Sequence, residues 1–429
     1  MENIAKSADY EKLLDTIAIL LAETKKKEFE LEDPYGEKKT FTIHSMSIQI
    51  IAKVEKVYGF NNCAIDRKET NTEKSILICL WIRNKHKISK FVMAYDDITL
   101  DIENFKIFFY QNINLWVNDA VRVFFTRPKK YSKYSWKTKD NPEESIKKIN
   151  FQPEISKSTI DAVKELSTRL HKEIKEVHES TIDLAKEFTI FLMADTDGRK
   201  ILTQNNEFLC LYTVTSFINK QDYTLQKVAV TYKTTEKELR KEINEMYEKI
   251  KKSIKEYEQI YLLETGWYPI FMNTDATHTL FHEGIAGHLL SGKYIIEEDS
   301  KVFHELDKDF SADPRFNILK QLTIENKPNL EGTIASYKYD HEGVRAKDIV
   351  LMDKGKVINY LTDRNSAYRL GQKESNGTSL ASTFVDIRGG QLVVLQPEPR
   401  ISNLIITSHS EKTQANLRED MIKYCENKA

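Results

Sequence analysis

The chain has 429 residues, 40% of them hydrophobic, which is too long for one ordinary core and rich enough for two or three. Lys plus Arg number 64 against 65 for Asp plus Glu, so the net charge of -1 supplies no field to hold a polyanion or an acidic bilayer, and no nucleic-acid partner is expected. No apolar run reaches the roughly 18 residues a bilayer span needs, and the N-terminus lacks a basic start with a small-residue cleavage site, so a cytoplasmic protein without membrane contact is expected.

In chain order, Tyr10, Leu13, Leu14, Ile17, Leu20 and Leu21 recur at helical spacing and predict an amphipathic helix. Residues 41–126 follow with β-rich runs such as 75–82 and 91–95, read as an antiparallel sheet with a few helices. The polar stretch 128–153 reads as a linker or long surface loop. Its Lys129, Lys130, Lys133 and Lys137, interleaved with Tyr131, Tyr134 and Trp136, read as a solvated loop rather than a nucleic-acid stripe in a neutral chain. Ser158 is expected to cap a helix carrying Ile160, Val163, Leu166, Leu170, Ile174 and Val177, ahead of a strand at 188–193 and a turn at 195–198. Further β-runs lead to Thr235-x-x-Glu238, a capping box opening a helix through Leu239, Ile243, Met246, Ile250 and Ile254.

After residue 266 one short glycine-containing histidine segment precedes β-type runs at 333–339, 349–352, 357–361, 391–395 and 404–407, and a helix over 411–427. The expected organisation is an N-terminal α+β domain with a trailing linker over 1–155, a helix and sheet middle portion over 156–262, and a β-rich catalytic domain over 263–429. The four cysteines, Cys63, Cys79, Cys210 and Cys425, are widely separated with no C-x-x-C pair, so most are read as buried reduced thiols rather than a disulfide framework or zinc knuckle.

Chemistry concentrates in the run His282-Glu283-Gly284-Ile285-Ala286-Gly287-His288. A zinc peptidase needs imidazole or carboxylate ligands, an open coordination position, and a carboxylate to take a proton from metal-activated water; His282, Glu283 and His288 supply those types within seven positions. In the helical motif H-E-x-x-H the histidines stand about 40° apart. Here the second histidine is six residues on, about 120° and about 9 Å away on a regular α-helix, so the segment must bend. Gly284 and Gly287 lower the cost of a bulge or of a π-type widening. Taken alone, the run also fits two unrelated helix histidines with Glu283 solvated.

With its flanks, the segment 279–292 (TLFHEGIAGHLLSG) resembles the metal-binding segment of the TldD/PmbA family of zinc peptidases. Residues 335–344 (ASYKYDHEGV) look like that family's tyrosine, acidic pair and Glu-Gly-Val signature, and 351–361 like the hairpin that follows; Asp363-Arg364, Asn376-Gly377 and 399–403 resemble later landmarks. The resemblance implies an α+β fold, with an N-terminal α+β portion and a C-terminal domain dominated by a large curved antiparallel sheet carrying the metal-site helix. It implies Zn2+ on His282 and His288, Glu283 as catalytic base, and paired subunits, either a homodimer or a heterodimer with a homologous chain. The substrate it implies is an unfolded peptide bound in extended form, leader segments included. The rival reading is a noncatalytic subunit supporting an active homologue.

Two departures from the family pattern bear on the site. The family's segment has one residue fewer between its histidines, so the carry-over to His282, Glu283 and His288 requires the extra residue to be absorbed near Gly284–Gly287. Family members also continue past this chain's last residue into a β segment with a cysteine ligand. Cys425 instead falls in the periodic set Leu417, Met421, Ile422, read as a buried helix face. His278, His304, His341, Asp340, Glu342 or a partner chain are the remaining sources of a third ligand. Asp340, Glu342 and Arg345 could equally orient ligands through hydrogen bonds or form a solvated turn.

Overall fold

The computed structural model describes residues 7–33, 35–85, 87–96, 99–126, 144–146, 149–150, 154–217, 224–257, 264–296, 309–310, 319–388 and 391–427. Most of the polar stretch 128–153, with its lysines and aromatics, and His304 lie outside the described residues. Among the described residues no helix is long and apolar enough to cross a membrane.

The α+β class holds. Helix α1 (Ser7–Lys25) and strand β1 (Glu28–Glu32) lead into long strands β2 (Lys38–Asn61), β3 (Ala64–Asn84) and β4 (Lys87–Asp96). Helix α2 (Ile102–Thr126), strand β5 (Glu144–Ile146), helix α3 (Lys157–Glu173), strands β6 (Val177–Asp195), β7 (Lys200–Phe217) and β8 (Thr224–Lys233), and helix α4 (Glu236–Tyr257) follow. The strands form one eight-stranded sheet along the order β4-β3-β2-β6-β7-β5, with β1 on β2 and β8 on β7. All its pairings are antiparallel except the short parallel β5–β7 contact.

This placement corrects one expectation. The largest sheet is built by residues 28–233 rather than by the C-terminal part, because β2 pairs with β6 from Ser47↔Asp195 to Asn61↔Thr181. Hydrogen bonding therefore runs across the boundary expected near residue 155.

Side-chain alternation decides which face each layer covers. Ile48, Ile50, Ala52 and Val54 of β2, with Phe188, Ile190 and Leu192 of β6, meet α1 and α2 in one core. Further along the same strands and with the same parity, Tyr58, Phe60, Ile182 and Leu184 meet α3 and α4 in a second. The four helices thus share one face of the sheet. The periodic apolar residues of α1 are all buried, including Leu13, Leu14 and Ile17 at 0% exposure. Helix α3 is capped by Ser156, whose hydroxyl accepts from Thr159 N at 3.3 Å, two residues ahead of the expected Ser158. The Thr235–Glu238 capping box forms as read, with Glu238 N donating to Thr235 Oγ1 at 3.3 Å.

The opposite face of the sheet belongs to the C-terminal part. Ile51, Leu77, Cys79, Trp81, Phe191 and Met193 point there and pack against Tyr339, Phe384 and Val385. Helix α5 (Thr274–Thr279) runs into a π-helix (Leu280–Leu289), then α6 (Gly292–Ile296). Strands β9 (Leu322–Asn326), β10 (Ile349–Asp353) and β11 (Lys356–Val357), helix α7 (Arg364–Arg369), and strands β12 (Ser379–Leu380), β13 (Val385–Arg388), β14 (Gln391–Val394), β15 (Glu398–Pro399) and β16 (Leu404–Ser408) lead to helix α8 (Gln414–Glu426).

A four-stranded sheet, β11-β10-β9-β16, is the largest in this part. The expected hairpin at 351–361 is its β10–β11 pair, turned by Lys354 (φ 49°) and Gly355 (φ 87°), the double positive φ that a two-residue hairpin requires. Residues 333–339, expected as β, form no strand. Their backbone is used instead by a loop in which Tyr337 N donates to Pro328 O at 2.9 Å. Helix α8 has no buried residue, so Leu417 and Ile422 are exposed and Cys425 is an exposed free thiol rather than part of a buried face. Cys79 and Cys210 are the buried thiols.

Candidate metal centre

The π-helix is the local answer to the extra residue in the run 282–288. Asn273 caps α5 by accepting from Ala276 N at 2.9 Å, and Leu280 stays helical at the junction (φ -58°, ψ -45°), so the two helices are continuous. Beyond it the bonding widens, and Leu290 N donates to Ile285 O at 3.0 Å, five residues back. The helix is anchored on one side by Phe281, Leu289 and Leu290, which pack with Ile324, Leu351, Met352 and Tyr360. Its end is clamped by Leu361, whose carbonyl accepts from Gly292 N and whose N–H donates to Leu290 O, both at 2.8 Å.

The two glycines do different work. A Cβ on Gly287 would lie 2.8 Å from the carbonyl oxygen of His282, whereas one on Gly284 would meet only Leu280 Cδ1 at 3.7 Å. Gly287→Ala is therefore expected to cost about 1–3 kcal/mol through forced backbone displacement, and Gly284→Ala to leave stability near that of the parent. Thermal unfolding of both variants checks this; equal midpoints would refute the assignment.

The anchored side of the π-helix leaves the polar residues outward. Glu283 and His288 are exposed and His282 is half-exposed. His282 Nε2 lies 3.9 Å from Glu283 Oε1, and the His282 ring stands 5.8 Å from that of His278, one turn earlier. His288 stacks on Tyr294, with ring centres 5.0 Å apart, and its Nδ1 bonds the carbonyl oxygen of Glu283. That bond places the proton on Nδ1 and leaves the Nε2 lone pair available, the tautomer a metal-ligating histidine uses. Two imidazoles and a carboxylate, all outward on this helix, are donor types that suit a divalent transition metal. Among the described residues no group of three His, Cys, Asp or Glu side chains converges into a metal cage.

The downstream signature has a structural task. Asp340 is buried and accepts from Glu342 N at 2.9 Å, Val344 N at 2.8 Å and Ser379 N at 3.1 Å. Burial, then Glu342, pushes its carboxyl up to about 8 against the pull of those amides. Glu342 accepts from Arg364 N at 2.8 Å, and burial raises its pKa as well. His341 stacks on Phe191 of β6 at 4.3 Å and accepts from Ala381 N on Nδ1 at 3.0 Å. These three candidate ligands are committed to the joint between the C-terminal part and the sheet. The landmark Asn376-Gly377 is also a staple: Asn376 bridges Thr362 N and Tyr360 O, and a Cβ on Gly377 (φ +74°) would lie 2.5 Å from Arg345 O. Sequence reading missed this distinction between holding and reacting, since both use the same residue types.

Two cavities adjoin at Ala381 and Ser382. A groove of about 1020 Å³ lies on the sheet face opposite the helices, floored by Lys53, Glu187, Phe191 and Glu207 and walled by Tyr337 and Tyr339. A cleft of about 930 Å³ is lined by Lys293, Arg369, Arg388, Glu398 and Arg400. Glu187 and Glu207 oppose each other across β6 and β7, and burial, then Glu187, raises the Glu207 carboxyl.

Residues 265–427 match the family described as the PmbA/TldA metallopeptidase C-terminal domain. That match covers the C-terminal part of the chain, which is similar there to the TldD/PmbA metallopeptidases. The chain is similar to a metalloprotease of Methanothermobacter thermautotrophicus, 29% identical over 117 residues, which are 27% of this chain and 24% of that protein. It is also similar to metalloprotease MJ0996 of Methanocaldococcus jannaschii, 26% identical over 105 residues, covering 24% of this chain and 22% of that protein. The matched stretch thus spans about a quarter of each relative's length.

Solved structures share the fold over much more of the chain. The proposed DNA gyrase modulator TM0727 of Thermotoga maritima superposes with a TM-score of 0.61 at 14% identity, covering 88% of this chain and 76% of that one. The corresponding protein BT3649 of Bacteroides thetaiotaomicron gives 0.58 at 12%, covering 93% and 91%. TldE of Thermococcus kodakarensis gives 0.53 at 12%, covering 85% and 74%.

Proposed function

We propose that this chain is a zinc-dependent peptidase that cuts unfolded or extended peptides, with His282 and His288 holding the metal and Glu283 as general base. The observation that supports the reading is that the π-helix carries His282, Glu283 and a His288 of metal-ligating tautomer outward, within the matched metallopeptidase segment. When bound there, zinc supplies Lewis acidity that polarises the scissile carbonyl and acidifies water. Glu283, exposed and beside His282, takes the proton from the attacking water and returns it to the leaving amine. The Glu283 carbonyl fixes the His288 ring, so base and ligand are oriented by one backbone unit.

The groove and cleft adjoin each other at Ala381 and Ser382 and are not lined by His282, Glu283 or His288; together they suit an elongated ligand. Aromatic walls at Tyr337 and Tyr339 favour an extended peptide, which supports a broad role such as leader-segment processing. A cytoplasmic homodimer, or a heterodimer with a homologous subunit, completes the proposal. Purified protein should contain stoichiometric zinc and cleave an unstructured peptide, with activity lost to a chelator and restored by Zn2+.

The second reading is a noncatalytic subunit that supports an active homologue. It is favoured by the six-residue spacing of the histidines and by the ring of His282 facing His278. Absence of metal both in the isolated chain and in its complex with a homologous partner would select it.

A further inference from the structure

We propose that the groove on the sheet face opposite the helices is a cation-reading subsite, in which Glu187 and Glu207 take the side chain of a lysine or arginine in an extended peptide. The inference rests on the peptidase reading above and names a substrate class for it.

The sheet register sets the charges. Side chains alternate between faces, so Lys53 shares the face of Ile51, Glu187 that of Phe191, and Glu207 that of Ile201, on the side that packs toward the C-terminal part. Glu187 of β6 and Glu207 of β7 are direct partners. Such pairs stand about 4.5–5.5 Å apart at Cβ, and like charges placed there repel. Lys53 of β2 answers one of the two: its Nζ lies 3.5 Å from Glu187 Oε1, which also accepts from Thr189 Oγ1 at 2.7 Å. The half-buried Glu207 side chain makes no hydrogen bond or ion pair among the described residues. Burial, then Glu187, raises its carboxyl. A cationic head group seated between the two carboxylates offsets both the burial and the repulsion.

The surroundings suit a long cationic side chain rather than a bare ion. The groove measures about 1020 Å³, far more than an ion fills, and has Phe191 on its floor and Tyr337 and Tyr339 on its wall. Among the described residues no group of three His, Cys, Asp or Glu side chains is placed to hold a metal. Lysine and arginine lay their methylene stems along apolar and aromatic surface while the head group reaches a carboxylate. The other charged residues of the lining, Glu331, Lys338 and Arg345, come from the C-terminal wall, where Lys338 lies over the ring of Tyr339, 5.4 Å from its centre. His282, Glu283 and His288 do not line the groove, so the residue it reads flanks the scissile bond.

Peptide binding by the full chain tests this, with fluorescence anisotropy recorded in the presence of a chelator so that nothing is cut. The probes are a labelled unstructured peptide carrying one lysine and the same peptide with norleucine in its place. The parent is expected to bind the lysine peptide at least about tenfold more tightly, with the preference shrinking as salt rises. Glu207→Gln should abolish the preference while circular dichroism and the thermal midpoint stay at the parent level or better, a combination that a merely structural glutamate would not give. Equal affinity of the parent for both peptides, no binding of either, or a parent-like preference in Glu207→Gln overturns the inference and leaves the peptidase reading intact. A parent that prefers lysine but cuts neither peptide once Zn2+ is restored supports the subsite and overturns the peptidase reading.

Discussion

Replacing Glu283 with glutamine is expected to lower kcat for peptide hydrolysis by about 10²- to 10⁴-fold while leaving zinc content and thermal stability at the parent level. The side chain is exposed and makes no packing contribution, and the amide is nearly isosteric with the carboxylate, so the change removes proton acceptance and little else. Loss of activity with metal retained separates a base from a ligand: a ligand variant loses both. Because the residue is adjacent to His282, the metal assay must accompany the kinetics. An equally active Glu283→Gln protein would refute the assigned role, and a parent chain without activity in the presence of bound zinc would favour the noncatalytic reading.

The second large effect is on stability. His341 is buried between Phe191 and Phe384, accepts from Ala381 N, and is held far below the ordinary imidazole range, at about 3, by burial, then by Arg400 and Lys53. The unfolded chain binds a proton at this residue near pH 6.5, whereas the folded chain stays neutral until about pH 3. Between those values the unfolded state holds more protons, so stability falls as pH drops through the window, by an amount on the order of a few kcal/mol. Asp340, raised to about 8, has the opposite sign: its contribution is present near pH 4 and lost as pH rises toward 8. The measurement is therefore a difference. His341→Asn keeps an acceptor for Ala381 N but cannot titrate, and chemical denaturation from pH 4 to 7 should show a flatter acid slope than the parent. Identical slopes would show that His341 does not govern acid sensitivity.

Periodic patterns were legible wherever one side of an element is buried by its own repeat. The faces of α1 and α4, the turn at 195–198, the capping box at Thr235 and the hairpin at 351–361 are all local matters of spacing and turn chemistry. The departure of the run 282–288 from α-helical bonding was legible too, since residues six apart do not share one face of an α-helix and Gly287 marks where the backbone closes. Helix α8 shows the limit of such reasoning: its period is real, yet nothing in the described chain covers it.

By itself the sequence determined the α+β class, the main helices and the likeness of the C-terminal part to the PmbA/TldA metallopeptidases, because each follows from local periodicity or residue pattern. Tertiary structure alone decided that residues 28–233 share one sheet, since strand pairing between β2 and β6 depends on partners more than 100 positions apart. It also sorted the acidic and histidine residues into two groups. Asp340, His341 and Glu342 became the buried joint because backbone N–H groups reach them there. His278, Glu283 and His288 stayed outward because the apolar side of the π-helix, through Phe281, Leu289 and Leu290, claimed the core.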